Sequence, residues 1–286
     1  MILESGSSFQ RSLHFFKETT WLRFGCIRKK ISLIHKKSMI KPEVVTPDEI
    51  VNQIGSVFDA PLVIKGWTWF PLTEVMVLGI MTREAGRLHP ERSWLTRLGA
   101  ALLTMPVILG SEWCHNLAHA AAAKIVGHPA DAIRITWGMP LLVYYDIEDN
   151  DVTPRTHMVR ALGGPVINAF FFGMALILSR LITKETIARD VINAALGMNA
   201  FLVLAGLLPI PGIDGGAVLK WALVDQGQTP SQADEIIRKV DIATAATLGT
   251  GAALAFKRHK RFLGGIFAMF AGIALVTGVG LLREKP

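Results

Sequence analysis

The sequence predicts an all-α polytopic membrane protein, with about four to six transmembrane helices and a small β-hairpin between the first two core helices. Three observations predict this class. Half of the 286 residues are hydrophobic and the mean hydropathy is positive. The apolar residues fall into long runs, of which 262–282, FLGGIFAMFAGIALVTGVGLL, holds no charge and is long enough to cross a bilayer. Between two such runs lies DAIRITWGMPLLVYYD, 131–146, whose β-branched and aromatic residues flank Gly138 and Pro140 as in a strand–turn–strand.

The elements follow in order. Residues 1–38 form a basic tail, with eight Lys/Arg against Glu4 and Glu18, so most of the net charge of +7 sits there. Such a tail suits either an anionic membrane surface or a disordered leader upstream of a start at Met39. It does not suggest nucleic-acid binding, and no signal-peptide pattern is present. Cys26 and Cys114 suggest no disulfide framework. An N-terminal segment, 39–95, opens with a helix-start signal at TPDEI, with Thr46 as its cap. It continues through 59–81, a candidate span or interfacial segment, to a charged loop at 82–95.

A membrane core occupies 96–224. Its first helix, about Thr96 to Val126, would be roughly 45 Å long, with Pro106 kinking it. The hairpin and an acidic loop at 148–151 follow, then a second span, Met158–Ile182, and a third, about Asp190 to Val224. The third contains GLLPIPGIDGG, whose prolines and glycines cannot continue an ordinary helix. Broken backbone at membrane depth is tolerated only where it is buried in protein or lines a wet cavity. Residues 225–286 read as a C-terminal helical hairpin: a polar loop 225–240, a short apolar run 241–256, the cluster KRHKR at 257–261 and the last span.

Chemistry concentrates in two places. His115 and His119, in HNLAH, lie four apart and so face one way on a helix. Asp214 sits inside the broken segment, and an ionisable residue at membrane depth is functional by default. Two His and one Asp suit a zinc site that leaves a fourth position to water. Two histidines satisfied by helix partners would also explain the pair. His128 reads as a helix-end residue, His157 as interfacial, and KRHKR as a membrane anchor.

These motifs together resemble the site-2 protease family of intramembrane zinc metalloproteases. That family carries H-E-x-x-H on one helix, G-P-x-x-N on the next and N-x-x-P-x-P-x-L-D-G-G on the third. Here they read HNLAHAAAAKIVG, GGPVIN and GLLPIPGIDGG, in matching order from about Thr96 to Val224. The resemblance implies that His115, His119 and Asp214 hold zinc. It implies that Gly164, Pro165 and Asn168 line the substrate side and that the hairpin pairs with an unwound substrate strand. Its implied partners are membrane lipid and the transmembrane segment of a client protein, and its implied home is the cell membrane of a prokaryote.

Two positions depart from the pattern. Gly206 stands where asparagine is usual, and Asn116 where the catalytic glutamate belongs. An amide is not a base near neutral pH, and losing a general base costs roughly a hundred- to ten-thousandfold in rate. Three readings result. The chain is a zinc-binding homologue with hydrolysis impaired or lost. Alternatively it is an active endopeptidase using Glu112, three residues before His115, or zinc-hydroxide alone. A third reading is a non-enzymatic membrane protein or transporter.

Overall fold

The structure, a computed structural model, describes residues 51–145 and 152–280. The basic tail, the TPDEI signal and the acidic loop at 148–151 lie outside the described residues.

The chain enters through two strands, β1 (Asn52–Val57) and β2 (Ala60–Ile64), joined by a two-residue turn in which Phe58 and Asp59 both adopt positive φ. That geometry matches the right-handed twist of the flanking strands. A 3-10 turn, Gly66–Trp69, leads to α1 (Leu72–Leu88). Here the sequence expectation needs correction. Residues 59–81 are not one continuous helix: they divide into β2, the 3-10 turn and the first part of α1, with Lys65 and Pro71 at the joints. Residues 82–88 continue that helix instead of forming a loop.

Helix α2 (Trp94–Ile125) starts on the Ser93 side chain, which accepts from Thr96 N–H, and runs on through Pro106. The hairpin is present as β3 (Ala132–Thr136) and β4 (Met139–Val143), turning at Trp137 and Gly138, again both at positive φ. The sheet is larger than expected: its order is β1-β2-β3-β4, with β2 and β3 parallel and the outer pairs antiparallel. Leu117 and Ala120 of α2 pack against Ile133 and Leu142 of the sheet. The hairpin tip is pinned where Trp113 Nε1 donates to the Gly138 carbonyl, at 3.1 Å.

Helices α3 (Pro154–Leu181) and α4 (Ile187–Gly206) begin on Thr153 and Thr186 caps. The third span expected at 190–224 is two helices, α4 and α5 (Asp214–Asp225), separated at 207–213 by the Gly/Pro break. Helix α5 starts directly beneath that break. A Cβ on Gly215 would collide with the Leu207 and Leu208 carbonyls, and one on Gly216 with that of Ile210, so only glycine permits the approach.

Helix α6 (Pro230–Lys257) joins the polar 225–240 segment and the apolar 241–256 run into one helix, opened by a Thr229–Gln232 capping box. It packs along α7 (Arg261–Gly278). Helices α2, α3, α4 and α7 are long and apolar enough to cross a membrane. The chain is thus an integral membrane protein, helical apart from a small sheet. Helix α3 contacts α2, α4 and α5, so residues from all four can meet on one line.

Candidate metal centre

The i, i+4 spacing on α2 brings His115 and His119 together, with ring centroids 4.6 Å apart and planes at 82°. Their Nε2 atoms lie 3.1 Å apart. Asp214, at the start of α5, faces both: Oδ2 is 3.3 Å from His115 Nε2 and Oδ1 is 3.3 Å from His119 Nε2. With one oxygen taken from Asp214, the three donor atoms lie within 4.8 Å of one another. Ligand atoms on a tetrahedral zinc, bonded at 2.0–2.2 Å, are about 3.3–3.6 Å apart. The shortest donor–donor distances, 3.1 Å between the two Nε2 atoms and 3.3 Å from each Nε2 to its nearer Asp214 oxygen, are close to that spacing.

Glycine makes the centre possible on the α3 side. A Cβ on Gly164 would overlap both imidazoles, and one on Gly163 would overlap the α2 backbone at Ala118 and His119. The GGP element therefore lets α3 lie against the two rings, with Pro165 continuing the same turn.

Hydrogen bonds fix which nitrogen of each ring carries a proton. His119 Nδ1 lies 2.7 Å from the Arg160 carbonyl, which can only accept, so Nδ1–H donates to it. Gly164 N–H approaches the same nitrogen at 3.3 Å, a longer and weaker contact. For His115 the assignment runs through a relay. Asn199 Nδ2 donates to the Ala195 carbonyl at 2.8 Å and to Ser111 Oγ at 3.0 Å, which orients its amide. Asn199 Oδ1 then accepts from Asn168 Nδ2 at 2.7 Å, and Asn168 Nδ2 also faces the Ser111 carbonyl at 3.3 Å. Asn168 Oδ1 is left to accept from His115 Nδ1–H, at 2.5 Å. Both Nε2 atoms consequently present bare lone pairs to each other and to a carboxylate. Three acceptors converge with no donor among them, and a cation must lie between them, either a shared proton or a metal ion. Two imidazoles and a carboxylate, with outer hydrogen bonds on both rings, fit zinc.

The other expected site residues stand as follows. Gly164, Pro165 and Asn168 are buried. Asn168 is fully enclosed and its amide is spent on His115, Asn199 and Ser111. Asn116 Nδ2 donates to the Glu112 carbonyl at 3.1 Å and to Glu112 Oε1 at 3.2 Å, so the two side chains form a pair along α2. His128 is exposed past the end of α2. His157 stacks flat on Trp221, with centroids 3.8 Å apart, outside the cluster. Sequence reading missed Ser111, Asn199 and the Arg160 carbonyl. Asn199 carries a visible signal, since it is an amide in the apolar run MNAFLVL. A backbone carbonyl carries none.

No protein-family model matches the chain, and no curated protein matches it. Among solved structures, it is similar to the Site-2 Protease from Methanocaldococcus jannaschii, at 12% identity over 83% of this chain and 97% of that chain, with a TM-score of 0.46. That likeness is loose, and the chemistry is read from the side chains themselves.

Proposed function

We propose that this chain is a site-2-protease-like membrane metalloprotease homologue that holds zinc on His115, His119 and Asp214 and hydrolyses peptide bonds poorly or not at all. The observation that carries it is the pairing of a converged His–His–Asp donor set with an amide where a base is needed. Bound zinc would supply Lewis acidity, polarising a carbonyl and making water a better nucleophile at neutral pH. The chain's own side chains must then take up and return a proton. Asn116 can do neither, and its amide N–H groups are directed at Glu112.

The same reading places an extended client segment along the outer edge of β4, which pairs with no further strand among the described residues and whose main-chain groups can pair with it. Gly164 and Pro165 would border that path. Asn168 has no amide group to spare and serves by orienting His115. The client would be the transmembrane segment of another membrane protein, met in lipid in the cell membrane of a prokaryote.

A second reading has one observation in its favour: Glu112 Oε1 lies 3.2 Å from the Asn116 amide, so a carboxylate does stand beside the base position. In that reading Glu112 is the base and the chain is an active endopeptidase. The test compares the natural protein, Asn116→Glu and Glu112→Gln, each reconstituted in liposomes with zinc and a helix-destabilised membrane substrate. The expected result is stoichiometric zinc, no cleavage by the natural protein and cleavage by Asn116→Glu. Cleavage by the natural protein that vanishes in Glu112→Gln would establish the second reading instead. Absence of zinc from purified protein would favour a non-enzymatic membrane protein.

A further inference from the structure

A cavity of about 360 Å³ opens beside the end of α2, bordered by His128, Asp131, Tyr144, Tyr145 and Arg160. It is separate from the three metal-facing side chains. Its walls come from the segment that ends α2, the end of β4 and the second turn of α3. Helices α2 and α3 are both long and apolar enough to span a membrane, and the cavity sits beside the C-terminal end of one and the N-terminal turns of the other.

Two of its wall groups are unsatisfied. Arg160 is 9% exposed; its Nη2 donates to the His128 carbonyl at 2.9 Å and its guanidinium lies over the Tyr144 ring at 4.9 Å. Arg160 Nε and the Tyr144 hydroxyl are closed to solvent, yet among the described residues neither has a hydrogen-bond partner. A buried donor without a partner is costly, and an arginine held with its Nε–H free is a fork with one tine unused. Burial pushes the Tyr144 phenol above the ordinary tyrosine range. Arg160 opposes that shift and Asp131 adds to it. The phenol thus remains an O–H donor at neutral pH. A cation with an unused donor of its own and an unused phenol O–H, both on residues that line one cavity, describe an oxyanion site.

We propose that this cavity binds a phosphate group, carried by a phospholipid headgroup or free in solution. The occupant draws Arg160 Nε–H and the Tyr144 hydroxyl outward into hydrogen bonds with its oxygens. Asp131 limits which phosphates fit: its exposed carboxylate, accepting from Tyr145 N–H at 2.8 Å, puts a negative charge at the rim. A singly charged phosphodiester meets less repulsion there than a doubly charged phosphate. The site does not depend on whether the chain hydrolyses peptides. It does share Arg160 with the metal centre, whose His119 Nδ1–H bonds to the Arg160 carbonyl.

The test titrates inorganic phosphate, and separately a short-chain phosphatidylglycerol below its micelle concentration, into the full chain in uncharged detergent, with heat as the readout. Binding of the phosphatidylglycerol alone assigns a headgroup site, and binding of both assigns a general phosphate site. In either case Tyr144→Phe should weaken binding about tenfold by removing one donor to a charged group. Arg160→Met should weaken it further, and Asp131→Asn should tighten it. Tyr144→Phe removes a single oxygen, so it decides the matter alone should Arg160→Met fail to fold. The proposal is overturned if neither probe binds, if Tyr144→Phe binds as the natural chain does, or if Asp131→Asn abolishes binding.

Discussion

His115 and His119 offer the same nitrogen to the same point from neighbouring turns of α2, yet they are held by unlike means. His119 leans on a main-chain carbonyl, that of Arg160, which no side-chain exchange can delete. His115 leans on Asn168, which leans on Asn199 and Ser111, so three helices contribute side chains to its orientation. One ring is therefore fixed by where α3 crosses α2, and the other by a chain of amides that mutation can cut. The metal centre should be robust on one side and sensitive on the other.

The largest effect should erase that asymmetry. His115→Ala, His119→Ala and Asp214→Ala each remove a donor, and zinc retained after dialysis should fall to background in all three. Gly164→Ala should come next, because its Cβ would overlap both rings at once. Helix α3 must then move away, at a cost of about 1–3 kcal/mol, read as a lower melting temperature together with poor zinc retention. A variant that melts normally and keeps its zinc would mean that α3 does not press on the rings.

The asymmetry itself is tested by Asn168→Leu. It frees the His115 ring and leaves His119 in place, so zinc affinity measured by chelator competition should fall about 10- to 100-fold, the usual cost of losing an outer-sphere partner. Asn199→Leu acts one step further out. Asn168 keeps its bond to His115 and its 3.3 Å contact with the Ser111 carbonyl, so the affinity loss should be several-fold smaller than for Asn168→Leu. If the order is reversed, the relay does not run as the hydrogen bonds imply.

Legibility in the sequence follows the same division. The three converging side chains are readable because helix period and the Gly/Pro break are sequence features, and the β3–β4 turn announces itself through Gly138. The β1–β2 hairpin does not. Its turn is Phe58-Asp59, with no glycine and with a bulky Phe58 at positive φ, which such residues seldom adopt, and β1 is mostly exposed, without an apolar alternation. Residues 225–257 look like a loop and a short run because polar residues fill the first turns of α6, where the capping box and not hydropathy starts the helix. Family resemblance puts Asn168 on the substrate side. Only the positions of Asn199 and Ser111 reveal that its amide is already occupied.

The smallest expected effect concerns Gly206, where the resembling family has asparagine. A Cβ there would lie 3.2 Å from Asp214 Oδ2 and 3.8 Å from the His115 ring. That is close enough to touch the Asp214 carboxylate but not to displace it, since a carboxylate can yield a few tenths of an ångström. Gly206→Ala should therefore lower zinc affinity only a few-fold, on the order of 1 kcal/mol or less, and should leave the His119 arm untouched. Gly206→Asn asks more of the same space. If its amide can bond to Asp214, it adds a polar partner from α4 to the third donor. Zinc affinity in Gly206→Asn should then equal or exceed that of Gly206→Ala despite the larger side chain. An affinity far below that of the alanine variant would mean that glycine is kept at 206 for room, and that Asp214 is positioned by the break alone.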